Sequence, residues 1–334
     1  MRNLTVILGA GASISAGLPA LNRIFEDSSV QAYLADEANE FDNFMSKYVW
    51  TPRLIESVER WKSLNLEEVL TMLRLWENDS QSPINFAKNF KYQKQLLGCV
   101  YHSVYSDKKD NGCRDYNQLI SFCDERFDRI TWASFNWDAK FEQAFFYTFK
   151  GCADGGRLPS CHANLQDWEG TNEKHMYLKL HGSVTWFSDA GGNVINRRFG
   201  KVAGAYPVRA AWDDFLCGNS GALEPMIAEP SFLKHDRIRA KPFLRSQWRS
   251  LDLALGESDL VLVVGFSLPD GDAMAKQSLL TTVARNPNAP FVVVDPDKTK
   301  QVMPRYERLL GSGRLDQRPQ SLTAFLVDPR LPGV

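Results

Sequence analysis

A β-strand and the glycine loop that follows it are encoded by Leu4-Thr5-Val6-Ile7-Leu8-Gly9-Ala10-Gly11-Ala12-Ser13. The apolar, β-branched run predicts a strand that is buried on both faces, as in a parallel sheet. The small residues of the loop precede a predicted helix, and the backbone N–H groups at such a helix start can bind a pyrophosphate. Glycine at positions 9 and 11 lets the backbone approach a ligand closely. A tight turn that binds nothing is the alternative interpretation of this loop.

Four further segments are predicted to be strands of the same sheet: Leu260–Val264, Phe291–Val294, Arg129–Ser134 and Met176–Leu180. Each is short and largely apolar, and each is followed at once, or nearly so, by glycine or by polar residues. In an open α/β sheet, ligands bind outside the carboxyl ends of the strands. The strand ends therefore predict one shared crevice.

The sequence between these strands changes character twice. From about residue 21 to 125 the apolar spacing is helical, which predicts a helical insertion whose clearest helix follows Asn65, a candidate N-cap. From about 185 to 245, glycine and proline recur at short intervals and predict an irregular cap or small lobe. We expect one α/β domain over residues 1–334. Its core would be a doubly wound, Rossmann-like parallel sheet built from residues 1–20 and about 126–330.

The composition excludes several classes of protein. The chain has 39 basic and 40 acidic side chains, so its net charge of −1 provides no long-range attraction for nucleic acid or anionic lipid. No signal segment is recognisable, and no apolar run approaches the roughly 18 residues that a membrane span needs. We expect a cytoplasmic protein without membrane contact or direct nucleic-acid binding. The six cysteines form no C-x-x-C pair, which argues against a zinc ribbon and predicts no metal site.

Five short motifs, taken in order, resemble one family. The string from Gly9 to Pro19 resembles the opening motif of the sirtuins, which bind NAD⁺ and break its nicotinamide–ribose bond. The other motifs are similar to that family's strand-end Asn-x-Asp, its catalytic His-Gly, its Gly-x-Ser loop and its adenosine-ribose position: Phe135-Asn136-Trp137-Asp138, Leu180-His181-Gly182, Gly265-Phe266-Ser267-Leu268-Pro269 and Val294-Asp295. The matches span residues 4 to about 297.

One departure from the family pattern shifts the expected activity. Sirtuin deacylases carry a zinc module built on two C-x-x-C pairs, which this sequence lacks. The sequence around His181 and Ser267 is instead similar to that of zinc-free sirtuin-like proteins of bacteria, many of which hydrolyse NAD⁺ in antiviral defence. The resemblance therefore implies an NAD⁺ glycohydrolase (NADase) that uses NAD⁺ as substrate, needs no zinc, and releases nicotinamide and ADP-ribose.

Residue roles follow from chemistry and from the resemblance together. Catalysis is assigned to Asn136, whose amide can bond a water or a ribose hydroxyl, and to His181, which can accept a proton near neutral pH. NAD binding is assigned to Gly9, Ala10, Gly11, Ser13, Asp138, Gly265, Ser267 and Asp295.

Several acidic and basic residues also have an interpretation in which they bind no ligand. Asp138 would serve equally well as the N-cap of the next helix, and Asp295 as part of a turn. Asp270 and Asp272 are predicted to be helix caps. The basic run Lys234–Lys241 is predicted to be a solvated face, with a contact to a partner or to phosphates as its alternative.

Regulation is expected because unchecked NAD⁺ loss harms a cell. The resemblance implies gating by a homo-oligomer or by a regulatory protein partner such as an ATPase or infection sensor. Two other functions stay open. One is protein deacylation or ADP-ribosyl transfer on the same scaffold, and the other is a non-catalytic module that binds NAD⁺ or ADP-ribose and reports its level to a partner.

Overall fold

The structure is a computed structural model of the 334-residue chain. It describes residues 1–19, 21–36, 66–77, 79, 82, 84–104, 113–150, 174–196, 208–219, 221, 223–298 and 300–332. Among these residues, no helix has the length and apolarity that crossing a membrane requires. The predicted N-cap Asn65 lies outside the described residues.

The described residues form strands, α-helices and 3₁₀ helices. The strands are β1 (Asn3–Leu8), β2 (Arg129–Ser134), β3 (His175–Lys179), β4 (Gly182–Ser188), β5 (Val194–Asn196), β6 (Glu224–Ile227), β7 (Leu260–Val264), β8 (Phe291–Val294) and β9 (Leu315–Arg318). The helices are α1 (Ser28–Asp36), α2 (Leu66–Glu77), α3 (Phe86–Val104), α4 (Cys113–Asp124), α5 (Lys140–Lys150), α6 (Val208–Cys217), α7 (Lys234–Ala240), α8 (Pro242–Glu257), α9 (Ala273–Arg285), α10 (Val302–Leu310) and α11 (Leu322–Phe325). The 3₁₀ helices span Ala10–Ala16, Leu21–Glu26 and Ser312–Arg314.

Six parallel strands form the central sheet in the order β3-β2-β1-β7-β8-β9. The five strands predicted from the sequence are all present, and β1 lies between β2 and β7. The sixth strand, β9, was not predicted. Its sequence, Leu-Asp-Gln-Arg, has a single apolar residue because an edge strand is only partly covered.

Helices cover both faces of the sheet, which confirms the predicted doubly wound α/β fold. Alternate strand residues face opposite sides, so that Val6 packs with α4, α5 and α11 while Ile7 packs with α8, α9 and α10. Burial on both faces explains why the strands read as continuous apolar runs. Helix α4 belongs to this core although it falls within the predicted insertion of residues 21–125.

A second apolar cluster joins the helices that precede α4 to the segment that follows β3. Helices α1, α2 and α3 pack with α6 and with strands β4 and β6, around residues such as Leu70, Leu96 and Trp212. The segment predicted to be an irregular cap is more regular than expected, because β5, β4 and β6 form a three-stranded antiparallel sheet. Three of its described glycines, Gly192, Gly218 and Gly221, lie in the turns between these elements and have positive φ.

His175 begins β3 at the amino edge of the sheet. Trp132 Nε1 donates to its Nδ1 over 3.1 Å, so Nε2 carries the proton and donates to Asp124 Oδ1 over 2.8 Å. Burial lowers the pKa of His175, and the Asp124 carboxylate opposes this effect only in part. The folded protein therefore favours the neutral imidazole.

The neutral His175 makes stability depend on pH. Because its folded pKa is depressed, its contribution is full above about pH 6.5 and is lost as the pH falls below that value. We expect the free energy of unfolding, measured by denaturant titration, to decline from about pH 7.5 to about pH 5.5. His175→Gln should flatten that decline. His235→Gln, at a half-exposed histidine, is the matched control and should leave the slope unchanged. An identical slope in wild type and His175→Gln would contradict this assignment.

Candidate active site

The carboxyl ends of the parallel strands bring the predicted motifs to one edge of the sheet. The glycine loop follows β1, Asn136 follows β2, His181 follows β3, Gly265 follows β7 and Asp295 follows β8. Asn136, Asp138 and His181 are all buried. The topology therefore gathers residues that are far apart in the sequence, as expected for this class of sheet.

The glycine loop packs backbone to backbone against the loop that follows β7. Gly11 N donates to Gly265 O over 2.8 Å, and Gly9 N donates to Val264 O over 3.0 Å. A Cβ on Gly9 would overlap Phe266 Cα, and one on Gly265 would overlap the backbone of Gly11 and Ala12. These glycines thus permit contact between two loops. The Gly11 N–H already has a hydrogen-bond acceptor within the protein. Ala10 lies exposed on the outer side of the loop.

Gly265→Ala tests this contact. Gly265 has a φ of 62° as well as the overlap, whereas Gly17 has a φ of 79° with nothing within 4 Å of its would-be Cβ. Gly17→Ala should cost about 1–2 kcal/mol, the price of the left-handed backbone alone. We expect Gly265→Ala to cost more by at least about 1 kcal/mol, because the loops must separate. Equal losses in denaturant unfolding would show that the loop contact is easily relaxed.

Asn136 is held by the glycine loop itself. Its Nδ2 donates to Gly9 O over 2.9 Å and to Ser13 Oγ over 3.1 Å. Both amide hydrogens are therefore committed within the protein. Within the described residues Oδ1 has no such bond, so the acceptor end of the amide is the end left for a ligand. The Asn136 amide therefore has an acceptor oxygen, but no donor hydrogen, left for a water or a ribose hydroxyl.

Ser13 connects three buried side chains. Its Oγ donates to Asp138 Oδ2 over 3.0 Å, which makes it the acceptor for Asn136 and for Tyr116 Oη at 2.8 Å. Burial raises the pKa of Tyr116 well above 10, so the phenol stays protonated and can donate. Ser13 is thus a connector in the protein interior. Tyr116 was not predicted, because a tyrosine at an apolar position of α4 looks like an ordinary core residue.

Asp138 makes the capping contact that the sequence offered as an alternative and also bonds Ser13, while its binding of NAD stays a prediction. Its Oδ1 accepts the backbone N–H of Lys140 over 2.9 Å, at the start of α5, as a capping residue does. Its Oδ2 accepts from Ser13, which also binds Asn136. Asp138 therefore shapes the helix start and orients Asn136 through Ser13.

A buried ion pair lies beneath this loop. Lys179 is fully buried, and its Nζ lies 2.6 Å from Glu142 Oε1 and also donates to the carbonyl oxygen of Asp138. Burial raises the pKa of Glu142, and the Lys179 charge opposes that effect. Since a buried charge is costly without a partner, each member of the pair requires the other. The pair links the end of β3 to α5 and to the loop that carries Asn136.

Replacing one member of the Lys179–Glu142 pair should destabilise the protein more than the loss of both charges together would suggest. Lys179→Met and Glu142→Leu each leave one buried charge unpaired, which we expect to cost about 3–5 kcal/mol. The double variant should lose much less than the sum of the two single losses. Denaturant unfolding of all four proteins measures the coupling. Additive losses would show that the two side chains act independently.

His181 lies in an aromatic pocket at the junction of β3 and β4. The ring of Phe135 packs edge-on against it at 5.1 Å, and Trp248 and Trp137 lie at 6.3 and 6.5 Å between ring centroids. Its Nε2 lies 3.3 Å from Asp272 Oδ1. The imidazole is therefore shielded from water on several sides and faces a carboxylate.

Two sequence interpretations are corrected here. Asp272 occupies the N-cap position of α9 but makes no side-chain cap hydrogen bond, since its carboxylate faces His181 and lies 2.7 Å from Lys234 Nζ. Lys234 was predicted to lie on a solvated face, yet it is buried because Asp272 and Glu67 compensate its charge. Asp270 pairs with Lys276 at the surface. Local sequence patterns could not predict the contacts of Asp272 and Lys234, because the partners are distant in the sequence.

The other predicted NAD-binding residues lie on the carboxyl side of β7 and β8. Ser267 is half-buried, and its carbonyl accepts from Arg305 over 3.2 Å. Asp295 Oδ1 accepts the N–H of Asp297 over 2.7 Å, so the turn that the sequence left open is present. Burial raises the pKa of Asp295. Its contact with a ribose stays a prediction.

No group of three or more histidine, cysteine or acidic side chains within the described ranges is arranged to hold a metal ion. Among the cysteines that the structure describes with side chains, Cys99 and Cys123 are buried and Cys217 is exposed, and all three are free thiols. Cys152 and Cys161 lie outside the described residues.

Comparison with known proteins gives structural neighbours only. No protein-family model matches the chain, and no curated protein matches its sequence. One solved neighbour is Sir2 in complex with the inhibitor EX-527, 2′-O-acetyl-ADP-ribose and a deacetylated p53 peptide, at 13% identity and a TM-score of 0.44, covering 98% of this chain and 91% of that one. Another is a mutant Sir2 homologue in complex with ADP-ribose, at 14% identity and a TM-score of 0.48, covering 97% and 89%. The doubly wound fold itself is established by the strand order of this chain.

Proposed function

We propose that this chain is an NAD⁺ glycohydrolase. The observation that carries the proposal is the arrangement of Asn136, whose amide is fixed by the carbonyl of Gly9 and whose acceptor oxygen is left for a ligand. The motif that would bind the pyrophosphate and the residue that would act at the ribose are thereby joined by a direct hydrogen bond. Phe135, the neighbour of Asn136, contacts His181, which supports the choice of His181 as the base of the same reaction.

The proposed reaction is hydrolysis of an N-glycosyl bond. The bond between ribose C1′ and the nicotinamide nitrogen breaks, and its electron pair neutralises the positive pyridinium ring. Water oxygen bonds to C1′ as positive charge develops on the ribose, and one water proton leaves through His181. Asn136 Oδ1 would accept a hydrogen bond from that water or from a ribose hydroxyl. Nicotinamide, ADP-ribose and a proton are the products.

Further support comes from the sequence pattern. The five ordered motifs resemble the sirtuins, and the lack of any C-x-x-C pair favours hydrolysis over deacylation. The NAD-binding set would be the loops of Gly9, Ala10 and Gly11, of Gly265 and Ser267, and of Asp295, with Ser13 and Asp138 acting behind Asn136. By family analogy we extend the proposal to a cytoplasmic effector of bacterial antiviral defence, gated by a homo-oligomer or a regulatory protein partner.

Nicotinamide release from NAD⁺ tests the proposal. Purified protein is incubated with NAD⁺, alone and with candidate partners, and free nicotinamide and ADP-ribose are quantified by chromatography. Asn136→Ala and His181→Ala should each lower kcat by on the order of 10²–10⁴-fold, since each removes a group that acts on the reacting atoms. His235→Ala, at a half-exposed histidine on α7, is the control and should retain wild-type turnover.

Each other outcome identifies a different function. Undiminished turnover in the Asn136 and His181 variants would contradict the site assignment. Tight NAD⁺ binding without turnover in any assembly state would indicate the sensor module. Nicotinamide release that requires an acetylated peptide would indicate a deacylase, and ADP-ribose attached to protein would indicate a transferase.

A further inference from the structure

A row of four charged or titratable groups ends at the proposed base. Glu67 Oε1 lies 3.1 Å from Lys234 Nζ, which lies 2.7 Å from Asp272 Oδ1, which in turn lies 3.3 Å from His181 Nε2. The side chains of His181, Asp272 and Lys234 are each about 5–7% exposed. Of these four groups, only His181 takes part in the proposed reaction.

We propose that Asp272 is a positioning residue, which orients the imidazole of His181 through Nε2 and stabilises its protonated form. This inference rests on the proposed function, because it assigns a partner to the base of that reaction. A carboxylate at one ring nitrogen fixes the imidazole tautomer and leaves the other nitrogen to accept a proton. Asp272 would thus leave Nδ1 as the nitrogen that accepts the proton of water or of a ribose hydroxyl.

The state of the Asp272 carboxyl supports this role. Burial alone would raise its pKa, but the charges and hydrogen bonds of His181 and Lys234 outweigh that effect and lower the pKa to about 2. Asp272 therefore stays ionised at neutral pH. Helix capping does not account for the direction of its carboxylate, since the side chain makes no cap hydrogen bond with α9.

His181 Nε2 needs such a partner. Within the described part of the chain it completes no aligned hydrogen bond, although it is buried. A buried donor without an acceptor costs free energy, and the nearby Asp272 carboxylate can supply that acceptor with a small movement of the ring. Catalytic hydrogen bonds that are long in the free enzyme often tighten when substrate binds.

The aromatic surroundings of His181 strengthen its interaction with the Asp272 charge. Phe135, Trp137 and Trp248 occupy other sides of the imidazole and exclude water, so the interaction is less screened than at the surface. The charged groups that face the pair are Lys234 on α7 and, behind it, Glu67 on α2. Lys234 shares Oδ1 with His181 and therefore weakens the attraction of that oxygen for a proton on the ring.

This arrangement predicts opposite effects for two charge-removing variants. Asp272→Asn keeps an oxygen at Oδ1 but loses the negative charge, so His181 should become protonated only at lower pH than in the wild type, by on the order of one unit. Lys234→Met removes the positive charge that competes for Oδ1, so the shift should be in the other direction. A structural defect alone would not give shifts of opposite sign. Lys234→Gln serves if Lys234→Met does not fold.

Two measurements on the full chain read out these shifts. In the first, ¹⁵N-histidine NMR follows the tautomer and protonation of His181 across pH without substrate, with the resonance identified by its loss in His181→Gln. In the second, nicotinamide release from NAD⁺ gives kcat and KM against pH. Asp272→Asn should lower kcat about tenfold with little change in KM, and the acid limb of kcat should move to lower pH.

Asp270→Asn is the matched control. It lies two residues away in the same loop, and its carboxylate pairs with Lys276 at the surface, not with His181. If Asp272→Asn shows the NMR titration and the pH profile of Asp270→Asn, the inference is overturned. A raised KM with unchanged kcat and pH profile would also overturn it. If the wild type releases no nicotinamide under any condition, the proposed function fails, and the NMR titration alone decides whether Asp272 controls protonation of His181.

Discussion

The backbone contact between the glycine loop and the Gly265 loop determines where the other site residues can lie. Gly11 donates to Gly265 O, and Gly9 uses its N–H on Val264 and its carbonyl on Asn136. Such close approach leaves no room for a Cβ. The contact therefore fixes the carboxyl ends of β1 and β7 and also the amide of Asn136, which comes from the other neighbour of β1. Three strand ends are held together by one tight set of backbone atoms.

The interior behind these loops contains polar side chains that bond to one another. Ser13 satisfies Asn136, Asp138 and Tyr116, while Lys179 and Glu142 neutralise each other beneath the same loop. Buried hydrogen bonds and ion pairs hold their members in one orientation, because breaking them leaves a costly unpaired group. The site is thus preorganised by groups that do not themselves face a ligand.

The sequence was sufficient to predict the α/β fold and most strands of its central sheet. Apolar runs of β-branched residues identified five of the six strands of the sheet, since those strands are buried on both faces. The motifs at their ends predicted Asn136 and His181 as catalytic residues, and the structure places both side chains at the carboxyl edge of the sheet, where their role stays a prediction. Edge strand β9 was missed because it is polar. Asp272 and Tyr116 were missed because their partners come from distant parts of the chain, while their local sequence resembles a helix cap and a core position.

The strand order also has a consequence for folding. β1 precedes the other strands of the sheet in the chain, but it lies in the middle of the sheet, and its neighbour β7 follows much later, since Leu4 of β1 pairs with Leu260 of β7. Pairing over such a separation is slow, because the entropy of closing the long loop is lost before the contact is gained. A nascent chain therefore carries an apolar strand without its full set of partners, a state that favours aggregation and chaperone binding. The glycine loop can contact the Gly265 backbone only after β7 has been made.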